Sequence, residues 1–312
     1  GVILFTRNFE SLEQIERLIA EIRSSRSPPV LVTVDHEGGR VQRFRKGFTA
    51  LPAMRTIGRE CDRDPAAGRL LARQCGWLMA AELRAVGVDM SFAPCVDLDY
   101  GASSVIGDRA FHRDPRIVAE LAVAFMGGMR EAGMLATAKH FPGHGAVAPD
   151  SHVAMPVDRR RLADLEEDLY PYRRLIDNGL ASVMAAHVIF PDLDERPAGF
   201  SRRWITDELR GRLGFNGAVF TDDLSMAGAA AVGDMLARAR AALAAGCDVL
   251  SVCNNRQGVL QVIDSLRGTG DPLSQVRMAR LHGKAAMSRA ALHGSAEWQA
   301  CESAIKGCME RA

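Results

Sequence analysis

Seven short apolar runs, separated by stretches of helical periodicity, constrain this chain more than any other feature of its sequence. They fall at 1–5, 30–35, 90–97, 135–140, 182–188, 218–222 and 249–253. Each is nearly continuous in Val, Ile, Phe and Ala, as strands buried on both faces are. The first intervening stretch opens with Ser11 and Gln14, a capping box, and carries Leu12, Ile15, Leu18, Ile19 and Ile22 on one stripe. A later one runs through Met235, Leu236 and Leu243 and stops at Gly246, a residue suited to a helix C-terminus. Strand–helix alternation sustained over ~250 residues predicts an α/β fold of the (β/α)8 TIM type, one barrel domain over 1–312 with extra C-terminal helices. Seven runs leave the barrel one strand short, and the missing strand is expected ahead of Gly1. A doubly wound open sheet would usually place a glycine-rich loop after its first strand; Phe5-Thr6-Arg7-Asn8 stands there instead.

The polar residues sit where those runs stop. Asp35, Asp97, Lys139 with His140, His187, Asp222 with Asp223, and Asn254 close or follow six of the seven. Barrel enzymes build their sites at the C-terminal ends of strands, and burying unpaired charge for stability alone is costly, so these positions predict a functional pocket.

Three constellations carry the chemistry. In Asp35-His36-Glu37-Gly38-Gly39-Arg40-Val41-Gln42-Arg43 the glycines permit a sharp turn beside a ligand. There Asp35 can accept from vicinal hydroxyls and Arg43 can donate in a fork. Lys139-His140-Phe141-Pro142-Gly143-His144-Gly145 leads into Asp150-Ser151-His152, inside a Pro/Gly-rich stretch over 141–161 that reads as a long binding loop. Asp150 and His152 can form a carboxylate–imidazole dyad, a unit suited to general acid–base work. In Thr221-Asp222-Asp223-Leu224-Ser225-Met226 an aspartate closes a buried strand and is a candidate nucleophile or base; spacing alone does not separate Asp222 from Asp223. Arg109, in a loop after the third run, is a weaker candidate for ligand binding.

Composition removes other classes. The 39 basic and 38 acidic residues leave a net charge of +1, which gives no electrostatic case for a nucleic acid or an anionic membrane. No apolar run approaches the ~18 residues of a membrane span. Only Lys46, Lys139, Lys284 and Lys306 are lysines, so the one at a strand end stands out. The seven cysteines show no CxxC spacing and lie largely in apolar surroundings, as buried thiols of a reducing compartment do. A cytoplasmic location, a monomer and no cofactor or metal are expected.

These motifs, in their order and spacing, closely resemble glycoside hydrolase family 3, and within it the bacterial single-domain β-N-acetylglucosaminidases of peptidoglycan recycling. The likeness runs from Gly1 to about Asn255 and is weakest after Gly268. It implies a retaining mechanism with a covalent glycosyl-enzyme. It implies Asp222 as nucleophile, His152 as acid/base with Asp150 orienting it, and Asp35, Arg43, Arg109, Lys139 and His140 as sugar-binding positions. The implied substrate is a non-reducing terminal N-acetylglucosamine on muropeptide fragments that end in anhydro-N-acetylmuramic acid. Two other readings compete: a metal-dependent barrel hydrolase using His140, His144, Asp150 and His152, and a non-catalytic sugar-binding barrel.

Overall fold

The computed structural model describes residues 1–148, 155–284 and 286–311. The chain divides into two compact units. The first comprises Gly1–Cys95, Asp108–Thr137 and Leu281–Ala312, the second Val96–Gly107 and Ala138–Arg280.

In the first unit, the strands Val2–Leu4, Val32–Val34 and Met90–Ser91 form a parallel sheet with Val32–Val34 in the middle. The helix Leu12–Ser24 starts where Ser11 Oγ accepts from the Gln14 N–H, and it buries Ile15 and Ile19. Pro65–Ala85 and Pro115–Glu131 both follow an Asp-Pro pair. The aspartate accepts first-turn N–H groups and the proline occupies a position that needs no N–H. Asp89 lies below the sheet and is fully buried. It accepts from the Val32 and Gly283 N–H groups and from Arg23 and Arg84.

In the second unit, Thr137–Phe141, Ser182–Ala185 and Ala218–Thr221 form the corresponding parallel sheet, with Ser182–Ala185 in the middle. Phe220 bridges to Val249 on the far side. Asp248 does here what Asp89 does in the first unit: it accepts from the Val219 N–H, from Arg210 and from Arg277. Phe141, Tyr172, Phe190 and Trp204 pack edge to face around the core. The helix Met235–Ala245 ends at Gly246, whose φ of 107° is the left-handed cap that glycine adopts without strain.

Two expected strands are shorter than their apolar runs. The run at 90–97 is strand only over Met90–Ser91, with Cys95 in an isolated bridge and backbone bonds from Thr137 to Ala93 and from Val96 to Lys139 further along. Beyond it Ser91 Oγ bonds the backbone of His36, and Pro94 has no N–H for a ladder. The run at 249–253 is no strand beyond its single bridge, because side chains take over the bonding. Thr221 Oγ1 accepts from the Ser251 N–H, Ser251 Oγ donates to the Thr221 carbonyl, and Asp223 Oδ1 accepts from the Cys253 N–H.

A buried carboxylate in the second unit makes the fold pH-sensitive. Asp168 Oδ2 accepts from Tyr100 Oη at 3.0 Å and from Arg160 Nη1 at 2.8 Å, while Oδ1 is buried with no partner among the described residues. Burial pushes its carboxyl up to about 6, and the Arg160 guanidinium offsets only part of that effect. A carboxyl raised above its unfolded value of ~3.9 contributes stability that is complete below pH ~4 and is lost as pH rises through about 6. Asp168→Asn is therefore expected to gain on wild type, by on the order of 2–3 kcal/mol, between pH 4 and pH 7.5. Denaturant unfolding of both proteins across that range measures it, and a difference that stays flat with pH would refute it.

Candidate active site

In the second unit the strand ends converge on Asp222. The residue follows Ala218–Thr221, and its N–H donates to the Ala185 carbonyl of the neighbouring strand at 3.1 Å. Its side chain is partly exposed. Oδ1 accepts from the Asp223 N–H at 2.8 Å, while Oδ2 has no hydrogen-bond partner among the described residues. Burial alone would raise this carboxyl. His140, His187, the Asp223 N–H and Lys139 outweigh that and hold it below the usual carboxylate range. An ionised oxygen, fixed in direction and open to a ligand, is what a nucleophilic carboxylate needs.

Asp223 is bound quite differently. Oδ1 accepts from the Ser225 and Cys253 N–H groups, both at 2.9 Å, and Oδ2 accepts from Ser225 Oγ at 2.6 Å. Both oxygens serve to fold the turn that presents Asp222.

Lys139 and His140 belong to the strand Thr137–Phe141 and are buried. Asp97, itself 2% exposed, organises this corner. Its carboxylate accepts from the His140 N–H, lies 2.7 Å from His140 Nδ1, and accepts from the His144 N–H at 2.8 Å. Burial would raise the Asp97 carboxyl; the charge and hydrogen bonds of His140 and the contacts to His144 bring it down to about 2. Gly145 lets the chain pass close to Leu98, whose carbonyl oxygen would lie 1.8 Å from a Cβ there. His187 is fully buried, and its Nε2 is 3.2 Å from the Asp223 carbonyl oxygen. The His140 imidazole thus lies against a carboxylate and that of His187 against a carbonyl oxygen, while ligand atoms of Cys95, Asp97 and His140 lie within 4.8 Å of one another, a group that could hold a metal ion.

Asp150 and His152 lie outside the described residues.

In the first unit the turn after Val32–Val34 carries two charged pairs. Arg43 Nη2 is 3.7 Å from Asp35 Oδ2, and both side chains are partly exposed. Arg109 grips Glu37 with Nε at 2.9 Å and Nη2 at 2.8 Å, a bidentate fork around a buried carboxylate. Gly38, at φ 129°, brings the turn against the Pro52 carbonyl, 2.4 Å from where a Cβ would stand. Gln42 then locks the turn: its side chain donates to the Phe44 and Thr49 carbonyls and accepts from the Leu51 N–H.

Sequence reasoning flagged Asp97 and His187 as strand ends without giving either a role, and it missed Glu37 as the partner of Arg109. The pairs Asp97–His140 and Glu37–Arg109 are 43 and 72 residues apart, so no local spacing announces them.

The glycosyl hydrolase family 3 N terminal domain matches residues 1–283. The chain belongs to glycoside hydrolase family 3. Within the family, the beta-hexosaminidase of Thioalkalivibrio sulfidiphilus is 58% identical over 305 residues, which are 98% of this chain and 88% of the relative. The beta-hexosaminidase of Nitrosospira multiformis is 55% identical over 285 residues, 91% of this chain and 82% of the relative. Native NagZ from Neisseria gonorrhoeae, a crystal structure, superposes with a TM-score of 0.93 at 43% identity, covering 99% of this chain and 90% of that one. The parallel sheets and polar strand ends described above are thus those of a family 3 N-terminal domain.

Proposed function

We propose that this chain is a retaining β-N-acetylglucosaminidase, a β-hexosaminidase, that removes non-reducing terminal N-acetylglucosamine from peptidoglycan-derived fragments. The aglycone is anhydro-N-acetylmuramic acid, with or without peptide. The observation that carries the reading is the state of Asp222, which is held ionised with one oxygen tied to the Asp223 N–H and the other without a hydrogen-bond partner among the described residues. The beta-hexosaminidase relatives and the NagZ structure supply the sugar class.

In this reading Asp222 Oδ2 attacks the anomeric carbon, and the glycosidic bond breaks as a glycosyl ester forms. Positive charge develops on the ring in an oxocarbenium-like transition state, and the carboxylate beneath it stabilises that charge. His152 gives its proton to the leaving oxygen and afterwards takes one from the water that hydrolyses the ester; Asp150 orients the ring. Histidine has a reference pKa near ~6.5, so it suits a donor at neutral pH and adds no second negative charge beside Asp222. Asp35, Arg43, Arg109, Lys139 and His140 bind the hydroxyls of the terminal sugar. Lys139 and His140 do this from the same corner that keeps Asp222 ionised.

The alternating elements and the two parallel sheets support a single (β/α)8 catalytic domain over 1–312. Seven free, buried cysteines favour a reducing, cytoplasmic compartment, where the enzyme acts as a monomer on a soluble glycan. No helix among the described residues is long and apolar enough to cross a membrane.

The test is covalent trapping. A fluorinated N-acetylglucosaminide that slows turnover of the ester is expected to label Asp222, read by peptide mass spectrometry. Labelling of Asp223, or of no carboxylate while turnover continues, would reject the mechanism.

A further inference from the structure

The second unit holds a buried polar ring that the mechanism above does not use. His187 follows the strand Ser182–Ala185, is 0% exposed, and lies face to face with Phe200, centroids 5.0 Å apart and planes within 5°. Its Nε2 is 3.2 Å from the Asp223 carbonyl oxygen. Its Nδ1 is buried with no hydrogen-bond partner among the described residues, 3.6 Å from where a Cβ on Gly199 would stand.

These contacts fix the state of the ring. A carbonyl oxygen only accepts, so Nε2 carries the proton and donates, and Nδ1 holds the lone pair. Burial disfavours the charged form and outweighs the neighbouring Asp222 and Asp223, which favour it. The ring is therefore a neutral, single-direction donor, held flat by Phe200. A phenylalanine or leucine would fill the same space without an orphaned nitrogen. A buried polar group left half satisfied in a native core asks for an explanation beyond packing.

We propose that His187 is a positioning residue for the nucleophile: by holding the Asp223 carbonyl it fixes the turn whose N–H pins Asp222 Oδ1, and so decides that Oδ2 faces the anomeric carbon. The turn is held on three sides. The Asp222 N–H is tied to Ala185, the Asp223 side chain to Ser225 and Cys253, and the Asp223 carbonyl to the Met226 N–H at 3.1 Å and to His187. Only the last of these ties is made by a buried imidazole side chain, and it acts on the residue next to the nucleophile. The inference rests on Asp222 as nucleophile, and the experiment separates the two.

His187→Phe keeps the shape and the stack and removes the donor. It is expected to lower kcat about 10–100-fold, the scale of a misplaced reacting group. The loss should be similar on natural disaccharides and on aryl glycosides with activated phenolate leaving groups. Affinity for N-acetylglucosamine should stay within about 2-fold. The acid limb of the pH profile should move upward, since a loosened Asp223 N–H stabilises the Asp222 carboxylate less. His187→Gln, which restores an N–H donor, should recover a substantial part of kcat. In the wild-type protein, ¹⁵N shifts of the ring should report the neutral Nε2–H tautomer between pH 5 and 8, a measurement that needs no variant to fold. Wild-type kcat and pH profile in His187→Phe, equal impairment of folded Gln and Phe variants, or an Nδ1–H tautomer or imidazolium would each overturn the inference. Asp222→Ala run in parallel tells the two ideas apart. If it stays active, the nucleophile assignment falls; if it is inert while His187→Phe is unimpaired, only the positioning role falls.

Discussion

Asp222→Ala is expected to lower kcat/KM for N-acetylglucosaminides by about four orders of magnitude or more, as loss of a covalent nucleophile does, while the thermal midpoint stays level or rises. The expectation follows from what the side chain does in the fold, which is almost nothing: its only hydrogen bond among the described residues is to the N–H of the next residue. The turn itself is held by Asp223, Ser225 and the Cys253 N–H, so removing Asp222 leaves those ties standing. The carboxylate costs desolvation, and its removal relieves that. Added azide should restore turnover of an activated aryl substrate and give the α-glycosyl azide, because a small anion can occupy the vacated position and attack from the same side. Activity within tenfold of wild type, or a β-azide, would contradict a nucleophilic Asp222.

The second large effect concerns His152. His152→Ala is expected to cost about 10²–10⁴-fold in kcat/KM on natural disaccharides and far less on substrates whose phenolate leaves without a proton, since general acid catalysis contributes on that scale only where protonation is needed. Asp150→Ala should act in the same direction more weakly, because it orients the ring and does not carry the proton. Measuring both substrate types in wild type and variants gives the ratio directly. Equal losses on the two would remove His152 from the acid role. A uniform loss is what His187→Phe should show, so the two histidines are distinguishable by this one ratio.

Much of this was legible in the sequence, for physical reasons. A strand buried on both faces must be apolar until it reaches solvent or a ligand, so Asp222, Lys139, His140 and Asp97 announced themselves as the first polar residues after such runs. The same logic failed at 249–253, where Ser251 and Asn254 interrupt the ladder and side chains of Thr221 and Asp223 supply the bonds. The sequence could not distinguish Asp222 from Asp223, because part of their difference lies in the Cys253 N–H, 30 residues from Asp223. Nor could it tell Asp89 and Asp248, which anchor the starts of strands, from aspartates that do chemistry at their ends. The fork of Arg109 on Glu37 needs the folded turn to exist at all.

The seven buried cysteines give the enzyme a built-in gauge of its own opening. Burial raises the thiols of Cys61, Cys75, Cys247, Cys301 and Cys308, Cys247 to about 12 and Cys301 to about 11. Alkylating reagents attack the thiolate, so in the native state these sulfurs are both hidden and chemically muted. Each becomes reactive only when the chain around it opens, and the rate at which it is capped then counts those openings. The thiols are shared unequally: Cys247 and Cys253 belong to the unit that carries Asp222, the other five to the unit that carries Asp35 and Arg109. Timed alkylation read peptide by peptide would therefore map, without any engineered label, whether the unit that carries Asp222 opens with the other or by itself.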